Sequence, residues 1–227
     1  SWISVNVTYN DTNFANVTFS LSNSTGIVSN TTYTSLIYTI NWTNLIDNMY
    51  YYNITILDLA GNTNSTVTRN ITLDVTNPSL SYSNGTELSG VYRSRSWISV
   101  NLTYNDTNFA NVTFSLFNST GIANSTTYAS LIYTINWTNL IDNVYNYNVT
   151  VMDLSGNINT TITRNITLDT ITPLVSFGFG TAVNNSNVSG TWLYINISVT
   201  ELNEANVTFG LYNVTSLINS TMYAAGN

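Results

Sequence analysis

Asparagine carries most of the chemistry available to this 227-residue chain. Twenty-five of its 38 asparagines stand in Asn-x-Ser/Thr with x other than proline. In that tripeptide the side-chain amide nitrogen accepts an N-linked glycan. Ser and Thr make up about 28% of the residues, so independent placement would give roughly 10 or 11 such tripeptides, and the excess is more than twofold. The acceptors are Asn6, Asn10, Asn16, Asn23, Asn30, Asn41, Asn53, Asn64 and Asn70, then Asn84, Asn101, Asn105, Asn111, Asn118, Asn124, Asn136, Asn148, Asn159 and Asn165, and finally Asn184, Asn187, Asn196, Asn206, Asn213 and Asn219. Where such a tripeptide lies in a strand, Asn and Thr share one face and the middle residue takes the other. The middle residues Val7, Val17, Ile54, Ile71, Leu102, Val112, Trp137, Val149, Ile166 and Ile197 are all apolar. One tripeptide therefore encodes an outward acceptor and an inward core residue. The plainer alternative is that Asn-apolar-Thr is simply an amphipathic strand pattern.

Other reactive groups are scarce. Cysteine, histidine and lysine are absent, and the four basic residues are Arg69, Arg93, Arg95 and Arg164. Disulfides, thiolate chemistry and Lys–Asn isopeptide crosslinks are excluded, and the usual general base and zinc ligand are missing. Net charge is −7 with no basic cluster, so nucleic acid is not an expected partner. The carboxylates recur in step: Asp11/Asp106/Glu201, Asp47/Asp142, Asp58/Asp153 and Asp74/Asp169. A turn or linker role in every copy is expected, not a catalytic pair in every copy, and no enzyme activity follows. Calcium takes oxygen ligands from loops, and Asp58 and Asp153 are the weak candidates, with Asp74 nearby in sequence. No Asp-x-Asp-x-Asp run exists, so turn geometry is the expected role and no metal is assigned. N-linked glycans are the one expected attached group.

The elements that must present these groups come from a repeat. Ser1-Trp2-Ile3-Ser4-Val5-Asn6 returns as Ser96-Trp97-Ile98-Ser99-Val100-Asn101 and, diverged, as Thr191-Trp192-Leu193-Tyr194-Ile195-Asn196. The period is about 95 residues, a domain-sized unit. The only prolines, Pro78 and Pro173, sit at equivalent points and mark boundaries. Residues 1–75 read as a repeat lacking its first strand, 76–171 as a complete repeat, and 172–227 as the N-terminal part of a third. Ser1 is not an initiator methionine, so the sequence reads as part of a longer chain, continued by further repeats or completed by neighbouring chains.

Within a unit the apolar period is two. Ile98, Val100, Leu102 and Tyr104 alternate with Ser, Asn and Thr, and the same alternation runs through 111–117, 133–138, 147–152 and 161–168. The expected fold is all-β: tandem immunoglobulin-like antiparallel β-sandwich domains. No apolar run reaches the ~18–20 residues needed to span a bilayer as a helix, so no membrane insertion is expected in this segment. Trp42 and Trp137 fall on the apolar face. Trp2, Trp97 and Trp192 share the face of the acceptor asparagines, placed either to stack on sugars or, slightly preferred, to pack at a domain junction.

Leu140-Ile141-Asp142-Asn143-Val144-Tyr145, followed by Asn148 to Asn157 with Asp153-Leu154-Ser155-Gly156-Asn157, resembles the immunoglobulin-like tandem repeats of bacterial and archaeal surface proteins. The first copy carries Leu45 to Tyr50, then Asn53 to Asn62. The resemblance implies that Tyr50 and Tyr145 are tyrosine-corner residues and that Asp-x-x-Gly-Asn joins the last two strands. It also implies that Asn48 and Asn143 replace a family glycine in left-handed geometry. Its motifs specify the fold and are almost silent on function. The expectation is a heavily N-glycosylated extracellular structural protein of a filament, stalk, sheath or S-layer-like assembly that self-associates. The alternative is an adhesin or receptor-binding module, which needs a bare face; 181–183 and the loop Glu87 to Arg95 are the least acceptor-dense stretches.

Overall fold

Two-residue periodicity and β-branched content leave little room for helix, and every regular element in the computed structural model is a strand. Residues 1–224 are described. The first unit holds β1 (Trp2–Asn6), β2 (Phe14–Asn23), β3 (Gly26–Tyr33), β4 (Thr39–Thr43), β5 (Asn48–Asp58), β6 (Thr63–Ser65) and β7 (Arg69–Leu73). The second holds β8 (Ser79–Tyr82), β9 (Val91–Arg93), β10 (Ile98–Asn105), β11 (Phe109–Asn118), β12 (Gly121–Tyr128), β13 (Thr134–Trp137), β14 (Asn143–Asp153), β15 (Ile158–Thr160) and β16 (Arg164–Leu168). Then come β17 (Leu174–Phe177), β18 (Ile197–Thr200), β19 (Asn206–Tyr212) and β20 (Leu217–Ala224).

In the second unit, β13-β10-β8 form one sheet and β12-β11-β14-β16-β9 the other, with β15 also on β14. The inward residues of both sheets meet in one core. Ile98, Val100, Leu102 and Trp137 face Val112, Phe114, Tyr147, Val149 and Ile166. This is the antiparallel sandwich expected from the alternation, with one exception: β9 pairs with β16 in parallel. The first unit repeats the plan with β1-β4 and β3-β2-β5-β6, β7 also on β5. Beyond it, β17 pairs with β18 and β19 with β20.

The first two units differ where strands are missing. Arg69-Asn70-Ile71-Thr72-Leu73 and Arg164-Asn165-Ile166-Thr167-Leu168 are the same pentapeptide, yet Ile166 is 1% exposed and Ile71 40%. In the second unit β8 extends the sheet along β10 and β9 runs beside β16. No strand holds those positions over the first unit among the described residues. Tyr82 of β8 also donates its hydroxyl to the Ile162 carbonyl at 3.0 Å, and Arg164 stacks over its ring at 4.3 Å. The Tyr147 hydroxyl donates to the Glu87 carbonyl at 2.8 Å. Burial, with Tyr82 beside it, pushes that phenol up to about 12. The Trp137 indole N–H finds Asn124 Oδ1 at 3.2 Å, whereas Trp42 Nε1 is buried without a partner. Ser29 stands where Asn124 does in the second unit, and its shorter side chain explains the difference.

Two local expectations are corrected. The run 161–168 is not one strand: Thr161 leaves the ladder, its Oγ1 accepting the Val149 N–H at 2.9 Å and donating to the Tyr82 hydroxyl at 2.9 Å. Asn48 and Asn143 are not left-handed; Asn44 and Asn139, four residues earlier, are, at φ 58° and 57°. Asn48 and Asn143 instead accept the next residue's N–H through Oδ1, an arrangement that does not need φ above zero.

Candidate glycosylation surface and the turns that frame it

Strand register separates acceptor from spacer as the alternation requires. None of the 25 acceptor asparagines is buried; 16 are exposed and nine half-buried. Of the ten apolar spacers, Val17, Ile54, Leu102, Val112, Trp137, Val149 and Ile166 are buried. Val7 and Ile197 are half-buried. Ile71 is exposed; among the described residues no strand lies beside β7 as β9 lies beside β16.

The glycan bond forms at Nδ2, so what that atom already touches decides whether a site is open. Three sites at one position of successive repeats, Asn23, Asn118 and Asn213, lie at the ends of tight connections. Each turns Oδ1 inward to accept the N–H and hydroxyl of its own tripeptide's threonine: Thr25 at 2.9 and 2.7 Å, Thr120 at 3.0 and 2.7 Å, Thr215 at 2.9 and 2.9 Å. These Asx turns leave Nδ2 without a protein partner. Asn6, Asn30 and Asn124 likewise use Oδ1 as acceptor, from Thr39, Ser20 and Thr126.

A second group uses Nδ2 internally. Asn101 donates to the Asn84 carbonyl at 2.9 Å and Asn196 to the Phe179 carbonyl at 3.2 Å. Both amides lie against glycine, Gly85 and Gly178, where a Cβ would collide with them. Asn159 donates to the Pro78 carbonyl at 2.9 Å. Asn6 occupies the same repeat position as Asn101, and the described residues do not include the stretch that would correspond to 84–86. The tripeptide alone does not distinguish these cases; the missing signal is the Asn84-Gly85-Thr86 turn, which closes over Asn101 through Thr86 Oγ1.

The tryptophans divide by face. Trp42 and Trp137 are buried at 6%. Trp2, Trp97 and Trp192 are 65%, 39% and 75% exposed. The preferred junction role is therefore not met: the rings are open to solvent, Trp2 on the outer face of β1, Trp97 just before β10 and Trp192 outside any strand.

Turn locking accounts for the recurring carboxylates. Asp11 and Asp106 accept the N–H of Asn13 and Asn108, both at 2.7 Å. Asp47 takes the Val75 N–H and Thr76 hydroxyl, and Asp142 takes the Thr170 N–H and hydroxyl, tying each linker to the turn before β5 or β14. Asp153 is buried. Its Oδ1 accepts the N–H groups of Ser155 and Asn157, and its Oδ2 the Asn157 amide at 2.7 Å. Burial opposes its charge, but the Asn157 amide and the N–H groups of Asn157, Ser155 and Gly156 outweigh it and hold the carboxyl below its ordinary value.

The two calcium candidates part company. Asp58 bonds only within its own turn, to Ala60 and Asn62. Asp153 is joined by Asp74 and Asp106, with one oxygen from each within 4.8 Å of the others. Asp74 thus meets the turn of the unit after it. Asp106 was not singled out by sequence; the cue is the Asp-Thr-Asn run at 106–108, whose Asn108 donates to Asp74 at 2.5 Å. Three carboxylates and neighbouring carbonyls form an oxygen-only set of the kind calcium accepts. Both Asp153 oxygens are already engaged by the turn.

The Tyr50 and Tyr145 hydroxyls donate to the Ile46 and Ile141 carbonyls at 3.0 and 3.1 Å, pinning the turn four residues upstream. Tyr145→Phe removes one such bond and leaves the ring in place. The expected loss is about 1 kcal/mol in the second unit, read as a lower urea midpoint at unchanged slope.

No family model and no curated protein matches the chain. Solved structures of similar strand arrangement include the fibronectin(III)-like modules of Clostridium thermocellum CbhA, at TM-score 0.38 and 14% identity, covering 74% of this chain and 85% of that one. The FN1-FN3 domains of chicken CNTN1 match at 0.38 and 13%, covering 74% and 60%. Dimeric latent PorU from Porphyromonas gingivalis matches at 0.31 and 13%, covering 72% and 17%. Similarity this loose says nothing of ligand or role.

Proposed function

We propose that this chain is a segment of an extracellular structural protein: a glycan-coated string of sandwiches in a surface filament, stalk, sheath or S-layer-like assembly. The observation that carries this reading is the sorting of acceptor and spacer, with no acceptor asparagine buried and seven of ten spacers in the cores. Charged residues are 7% of the chain, against ~25% in an ordinary soluble domain. Sugars on the outward amides supply the missing solvation and shield strand edges from pairing. The carboxylates are read as turn locks, not acid–base pairs, and the repeated cores as spacers whose number sets length.

The adhesin alternative needs a bare recognition face, and the loop from Glu87 to Arg95 is the stretch poorest in acceptors in the second unit. Its ionic groups pair with one another, Arg93 and Arg95 with Glu87 at 2.7 and 2.8 Å, and the Glu87 carbonyl takes Tyr147 and Arg164, while Leu88 and Tyr92 stand exposed. Protein from its native source is expected to exceed the mass of its own bare polypeptide by many hexose or hexosamine units and to fall back to it after chemical deglycosylation. An intact mass equal to the bare chain removes the proposal.

A further inference from the structure

We propose that Trp97 and Trp2 are stacking platforms for the first sugar attached at Asn136 and Asn41. The inference rests on the glycosylated reading above and adds a ligand-binding role for residues outside the acceptor tripeptides. In the first unit, Trp2 lies directly opposite Thr43, and Ser4 opposite Asn41. Trp2, Ser4, Asn41 and Thr43 are exposed, while Ile3, Val5 and Trp42 between them are buried. Trp2 and Asn41 are therefore diagonal neighbours on one outer face, a spacing of roughly 7–8 Å that aromatic side chains bridge. In the second unit the paired register begins at Ile98 opposite Trp137, with Ser99 opposite Asn136; Trp97 is the residue before it, and the Ser96 carbonyl takes the Leu140 N–H as the Ser1 carbonyl takes that of Leu45.

A pyranose presents a flat face of C–H groups, and an indole is the largest apolar plane a side chain offers. A sugar bonded to Asn136 starts at a diagonal neighbour of that plane, so it needs no separate encounter, and its effective concentration there is high. In the second unit the ring is also held in position. The Arg95 guanidinium lies 3.7 Å from the Trp97 ring centroid. Its Nε donates to the Trp97 carbonyl at 3.0 Å, and its Nη2 pairs with Glu87 at 2.8 Å. One face of the indole is thereby covered by a fixed cation, and the ring keeps 39% of its surface open. A tryptophan recurs at this place in all three repeats, always exposed.

The experiment uses the glycosylated full chain, with occupancy at Asn136 and Asn41 read first by glycopeptide mass spectrometry. NMR of the unsubstituted protein is expected to show cross-peaks between indole protons and the first sugar, with those sugar protons shifted upfield by the ring current. Trp97→Ala is expected to lower Tm by about 4 °C more in the glycosylated chain than in the Asn136→Gln background. Equal losses in both backgrounds, with no cross-peaks from an occupied site, overturn the inference and leave the glycosylated reading standing. Bare asparagines at both positions overturn the inference together with that reading at those sites.

Discussion

In the 227-residue segment, Ile166→Ala should destabilise the second unit by about 2–5 kcal/mol, while Ile71→Ala in the first costs less than about 1 kcal/mol. The two isoleucines sit in the same pentapeptide, so propensity and local sequence cancel. What differs is cover. Ile166 is sealed in the core, with Val91 and Tyr82 among its packing partners' shell, and truncation leaves a cavity. Ile71 already meets water, and its side chain gains little from folding. Because the chain contains more than one core, a single melting curve mixes them. Hydrogen exchange at the Val149 and Ile54 amides, on the central strands of the two units, reads each separately. Equal losses at both would mean that the first unit is covered as fully as the second.

Asp153→Asn is the second large effect, expected to cost about 2–3 kcal/mol at neutral pH. The carboxylate accepts three N–H donors from Ser155 and Asn157. An amide replaces one acceptor oxygen by a donor, which then faces the Asn157 amide. Repulsion from Asp74 and Asp106 subtracts from what the charge contributes, so the loss stays below the sum of three charged bonds. The pH dependence has a definite sign. The native carboxyl is held below its ordinary value, so its contribution is complete above the unfolded pKa of ~3.9 and drains as pH falls through the lower native value. Urea midpoints of wild type and Asp153→Asn should therefore lie furthest apart near pH 7 and converge in acid. A gap that is constant from pH 7 to pH 2 contradicts the charged-hub account.

Much of the fold was legible because one signal, two-residue alternation, fixes both the strand and the face. Ile98 to Tyr104 and Asn111 to Phe117 lie in β10 and β11 with the expected inward sets buried. The outward direction of the acceptors followed from the same rule. What escaped was whatever depends on a partner distant in sequence. The parallel β9–β16 pair joins Val91 to Ile166, and nothing in either segment names the other. Thr161 leaves its strand to serve Val149 and Tyr82. Asp106 comes near Asp153 because the Leu154 N–H bonds the Asn108 carbonyl, and Asp74 of the linker joins them. The engagement of Asn101 has the same origin, since its amide is taken by the Asn84 carbonyl, 17 residues away.

The contrast between engaged and open amides makes the glycan distribution, site by site, the sharpest test of outward amides as sugar carriers. Glycopeptide mapping of protein from its native source should find sugars at the turn sites Asn23, Asn118 and Asn213 and at the open strand sites Asn41 and Asn136. Asn101, Asn159 and Asn196, whose Nδ2 atoms donate to backbone carbonyls, should be bare. Unmodified asparagine at all of the open sites, or sugars concentrated on the three bonded to backbone, would contradict it.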